Sequence, residues 1–150
     1  MKENKKIKIK SSTGFSLVEL LVVVAIIGIL SAVGVVSYGG YVSSAKQKSA
    51  HNVMLQISLA QTEEYSNSGS YYTNSETTSC EPSSLTSDAI ETTLFGGGDQ
   101  IAKDMGYEIC IAAGTGSSNF IIIADEITGN VDPCQLTLER NGNFERGDDC

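Results

Sequence analysis

Apolar and polar positions divide the 150-residue chain into segments of distinct character. From Phe15 to Val36, FSLVELLVVVAIIGILSAVGVV, the residues are almost unbroken apolar, with one carboxylate at Glu19. A helix rising about 1.5 Å per residue takes this run across about 33 Å, enough for the hydrocarbon core of a bilayer. Leu17, Leu20, Leu21, Val24, Ile27 and Leu30 leave it no polar face, so it belongs wholly in lipid or wholly among other helices. Beyond it the period persists but the composition changes. Ala50, Val53, Met54, Ile57 and Ala60 recur at helical spacing on one face, which predicts one helix from about Phe15 to Ser66. Asn67 and Gly69 supply the stop.

Residues 66–93 lack strong periodicity, and 14 of these 28 are Ser or Thr, which predicts a loop. Strand signals come late: GYEICIAA (106–113) alternates, NFIIIADEI (119–127) is a buried-type run, and CQLTLER (134–140) alternates again. Gly114, Gly116 and the TGN at 128–130 mark the turns between them. The predicted fold is α+β, a long N-terminal helix packed on a small sheet of three or four antiparallel strands. Its predicted segments are residues 1–14, basic; 15–36, the apolar helix; 37–66, its amphipathic continuation; 67–105, a Ser/Thr-rich loop; and 106–150, the sheet and a cysteine-bounded end.

Charge sharpens the division. The first 14 residues carry five lysines and one glutamate, whereas the rest carry five Lys or Arg against 17 Asp or Glu, a net of −12. Lysines flanking an apolar segment stay cytoplasmic, so the acidic body is expected outside. There thiols oxidise, and four cysteines with no CxxC pair predict two disulfides rather than a metal site. The acidic surface also argues against direct nucleic-acid binding, which needs cationic groups. Asp125, Glu126 and Asp132 could offer oxygen ligands to calcium, but no EF-hand spacing accompanies them. FGGGD and GTGSS lack the ending of a phosphate loop, and the single His51 reads as a solvated or half-buried helix residue, so no catalytic residue and no cofactor are expected.

A carboxylate near the middle of a bilayer costs about 2.5 to 3.5 kcal/mol, less towards the ends. Neither a secretory signal nor a permanent anchor explains Glu19, and the run exceeds the 7 to 15 residues usual for a signal's apolar core. Gly14-Phe15-Ser16-Leu17-Val18-Glu19 at the head of the run resembles the processing signature of type IV pilins. The likeness continues through LVVVAIIGILSA to Tyr38 and Tyr41. It implies that a prepilin peptidase cuts between Gly14 and Phe15, that the amine of Phe15 is methylated, and that the helix stays in the mature protein. It further implies that Glu19 pairs with that amine on a neighbouring copy and sets axial register. Gly28 and Gly34 become places where the helix could pack closely or unwind on assembly, although the chain has Val36 where family members often have proline. The expected partners are further copies in a helical homopolymer, the peptidase, the inner-membrane assembly machinery, and the membrane before assembly.

The most local connectivity of the four cysteines joins Cys80 to Cys110 and Cys134 to Cys150, and the second pair resembles the C-terminal disulfide-bounded region of type IV pilins. The implied function is that of a structural filament subunit, with a minor pilin or a type II secretion pseudopilin as the alternative within the class. A secreted enzyme or binding module behind an ordinary signal is the alternative outside it.

Overall fold

The computed structural model describes residues 14–115, 119–127 and 133–150. Residues 1–13 of the leader, Gly116, the TGN turn and Asp132 lie outside the described residues, as does the side chain of Val36. The chain forms two compact units, residues 1–41 and 42–150. One helix, α1 (Leu17–Ser68), accounts for the structure of the first unit from Leu17 onward. The apolar side chains there, from Phe15 to Val33, are exposed in the single chain. The helix is long and apolar enough to cross a membrane.

In the second unit α1 lays Ala50, Val53, Met54 and Ile57 into the core. The fifth position on that face is taken by Gln61, fully buried, rather than by Ala60, which is half-buried. Gly69 ends the helix: its amide donates to the Tyr65 carbonyl at 2.9 Å, and its φ of 77° is the left-handed geometry of a helix C-terminus.

The segment 67–105 is not wholly a loop. It contains a second helix, α2 (Ser84–Leu94), and a short 3-10 turn at Lys103–Met105. Ser83 caps α2, its hydroxyl accepting from the Thr86 amide while the Thr86 hydroxyl accepts from the Ser83 amide. Ser and Thr therefore serve here as helix caps and as side-chain partners for a strand, roles that composition alone does not distinguish from solvated loop.

Four strands follow: β1 (Tyr107–Ala113), β2 (Phe120–Glu126), β3 (Gln135–Glu139) and β4 (Phe144–Arg146). They pair antiparallel in chain order, with Tyr107 opposite Glu126, Ile122 opposite Leu138, and Leu138 opposite Phe144. Alternation sends Tyr107, Ile109, Ile111, Phe120, Ile122, Leu136 and Leu138 into one core with the α1 residues. Cys110, Ala112 and Ile123 form a smaller cluster with Cys80 and Ile121.

The outer edge of β1 is closed without a fifth full strand. The Ile109 amide donates to the Ser87 hydroxyl at 2.9 Å, and its carbonyl accepts from the Thr86 hydroxyl at 2.8 Å. Asn74 does the same for Ile111: its side-chain oxygen accepts from the Ile111 amide at 2.9 Å, and its own amide donates to the Ile111 carbonyl at 2.8 Å. A single parallel bridge, Ser75 to Ala112, extends this cover. Polar groups along an edge must find partners, and here side chains, together with the backbone of residues 74–77, provide them.

Candidate functional site

The head of α1 is built by two residues. Ser16 is the last residue before the helix, and Glu19 lies three residues along. The Glu19 carboxylate accepts from the Ser16 amide at 2.8 Å and from the Ser16 hydroxyl at 2.7 Å, while the Glu19 amide donates back to that hydroxyl at 3.3 Å. This is a capping box, in which reciprocal bonds satisfy amides that the first helical turn leaves open. Helix N-termini also favour negative charge, by about 0.3 to 1 kcal/mol. In the single chain, then, Glu19 has a local partner, and part of the cost of its charge is met within its own helix. The signal for Ser16 is the S-x-x-E spacing at residues 16–19, which sequence reading of the carboxylate alone does not pick out.

Phe15 sits just ahead, 86% exposed, and no side chain of the described chain covers it. Gly14 adjoins it outside the helix. Gly28 and Gly34 lie inside α1 as ordinary helical residues, and a methyl group added at either would meet nothing within 4 Å. Nothing among the described residues therefore requires a glycine at these two positions, although each costs about 1 kcal/mol relative to alanine.

The four cysteines are bonded as Cys80–Cys110 and Cys134–Cys150, with Cα separations of 6.2 Å and 4.6 Å. The first ties the segment before α2 to β1. The second ties the start of β3 to the tail after β4. Tyr107 donates its hydroxyl to the Cys134 sulfur at 3.1 Å from a position only 2% exposed. Burial, reinforced by the Glu126 charge and opposed by Arg146, pushes the Tyr107 hydroxyl up to about 12. His51 is half-buried on α1, as expected of a helix residue, and its ring lies 4.1 Å from that of Phe144, so it packs α1 against β4.

These elements set two kinds of surface: an exposed apolar helix headed by a capped carboxylate, and an acidic, doubly stapled α+β body. Over residues 9–35 the chain matches the family model of the prokaryotic N-terminal methylation motif, the leader signature of type IV prepilins. The motif supports a type IV pilin-like or pseudopilin protein, and the long helix packed on a four-stranded antiparallel sheet is a pilin-like α+β fold. Proteins of this type are structural rather than enzymatic. The signature implies processing by prepilin peptidase and assembly into pilus-like polymers; with the apolar helix, it supports anchoring in a membrane before assembly. No curated protein and no solved structure matches the chain.

Proposed function

We propose that the chain is the repeating structural subunit of an extracellular type IV pilus, held in the inner membrane until assembly. Prepilin peptidase cuts between Gly14 and Phe15, and the Phe15 amine is methylated. The new amine, with an ordinary pKa of about 7.7 to 8.0, is largely protonated at neutral pH. Glu19 of one copy then pairs with the amine of the next, since either charge left alone in an apolar bundle costs several kcal/mol. Gly28 and Gly34 serve the packing or local unwinding of α1 among its neighbours.

The observation that carries this reading is the position of Glu19, a lone carboxylate heading an apolar helix whose side chains find no cover among the described residues. Lipid tails are as apolar as leucine, so moving this helix from membrane to bundle changes the hydrophobic contribution little. Charge pairing and packing then decide the order, and assembly can be reversible. N-terminal analysis of the mature protein tests the reading: a methylated Phe15 in sheared surface fibres is expected. A soluble monomer beginning near Val35 would refute it.

A further inference from the structure

One cleft in the body collects charge of the rarer sign. It lies between α1 and β4, has a volume of about 150 Å³, and is lined by Ser44, Gln47, Lys48, His51, Phe144 and Arg146. Two of the five Lys and Arg residues that follow the leader point to this one place, together with the chain's single histidine. No carboxylate among the described residues comes within 4.0 Å of Lys48 or Arg146. Glu145, between Phe144 and Arg146 in β4, accepts instead from the Asn143 side chain at 3.1 Å. Asp148 and Asp149 follow Arg146 closely in the chain, yet both remain exposed and form no ion pair with it. The cleft is also set by its neighbours: the Arg146 guanidinium donates to the Gln47 side-chain oxygen at 3.4 Å, and the His51 ring packs on Phe144.

The opposite edge of the sheet carries the opposite charge. Residues 76–108 hold seven Asp or Glu and a single cation, Lys103. Glu76, Glu81 and Asp88 are exposed there, on α2 and the segment before it, beside the β1 edge. Residues 42–150 carry 16 Asp or Glu against five Lys or Arg, a net of −11, and such bodies repel when stacked, so close packing needs local compensation at each contact. A contact between two different edges of one molecule is heterologous, and such contacts build rings or open helical filaments rather than closed pairs.

We propose that the α1/β4 cleft is a carboxylate receptor whose occupant is a second copy of this chain, presenting an exposed acidic side chain from the segment 76–88. The inference rests on the polymer reading and adds to it a head-to-head contact of fixed polarity, separate from the Glu19 pair. Lys48 and Arg146 supply the charge, Ser44 a hydroxyl donor, and Phe144 with His51 the wall.

Carbodiimide treatment of intact fibres, which joins an amine to a carboxylate already in contact, tests it by peptide mass analysis. The expected product is a dimer linked from Lys48 of one copy to Glu76, Glu81 or Asp88 of another, absent from Lys48→Gln fibres. Arg146→Glu should reduce fibre yield several-fold while Arg146→Lys preserves it. Fibres in which Lys48 links to none of these residues overturn the cleft assignment. So does inorganic phosphate that shields Lys48 from coupling while the fibres stay intact, because the occupant is then a free anion. A wild-type protein that forms no fibre overturns the polymer reading itself.

Discussion

Gln61 holds Tyr72 by both ends of its amide: its nitrogen donates to the Tyr72 carbonyl at 2.6 Å, and its oxygen accepts from the Tyr72 amide at 2.9 Å. The side chain thus stands in for a strand, pinning the chain just after Gly69 back onto α1. It is fully buried, so its loss leaves two backbone groups short of partners. Gln61→Ala should destabilise the body by about 2 to 3 kcal/mol. Gln61→Glu, which replaces the donor with a buried carboxylate facing a carbonyl, should be at least as damaging. Thermal unfolding of the full chain in detergent, followed by circular dichroism, measures both.

The Ser16–Glu19 box separates two roles that a single substitution would confuse. Ser16→Ala removes the cap and should weaken the helix start by about 1 kcal/mol, while Ser16→Thr keeps it. Glu19→Val removes the cap partner and the proposed intersubunit charge together. Cleavage and membrane insertion are expected to survive Glu19→Val, whereas fibre growth is lost or severely impaired. Fibre counts by electron microscopy, alongside immunoblots for the processed form, give the comparison. Normal fibres on the Glu19→Val strain would remove Glu19 from the assembly mechanism.

Both disulfides should be complete in the mature protein, and non-reducing peptide mapping should find no free thiol. Loop-closure entropy predicts about 3 kcal/mol for Cys134–Cys150 and nearer 4 kcal/mol for Cys80–Cys110. Cys80→Ser with Cys110→Ser should therefore lower the unfolding midpoint further than the corresponding change at Cys134 and Cys150.

Tyr107 makes the body sensitive to alkali. Its folded pKa, about 12, lies above the ordinary value near 10, so the folded state holds this proton more tightly than the unfolded chain does. The associated stability is fully present below pH 10 and is lost as pH rises from 10 towards 12. Absorbance at 295 nm should show one of the six tyrosines ionising late, and Tyr107→Phe should remove that step and flatten the alkaline loss of stability.

Periodicity made the long helix and three of the strands readable, because burial on one side imposes a repeat of 3.6 or 2 residues on the apolar positions. Ala50, Val53, Met54 and Ile57 are the clearest instance. The start of α1 was readable from Gly14, Phe15 and Glu19 together, since the apolar run gave the carboxylate its meaning. Two elements were obscured, one by composition and one by length. α2 was masked by its Ser and Thr residues, although Leu85, Ala89, Ile90 and Leu94 after a Pro82-Ser83 start carry a helical spacing. β4 is three residues long, too short to repeat any pattern. Gln61 escaped for a different reason: a buried amide matched to one backbone unit depends on where the chain returns, and no local pattern encodes that return.

The sealed β1 edge also bears on how such molecules tolerate crowding. In a fibre, heads stand at very high mutual concentration, and a bare strand flank would invite them to fuse by backbone pairing into cross-β aggregates. Ser87, Thr86 and Asn74 already occupy those backbone groups, and the far flank, β4, offers only three residues, two of them charged. Backbone pairing between heads is thereby closed off, so any contact between copies falls to side chains and to the helices, and the sheets can be stacked densely without becoming glue.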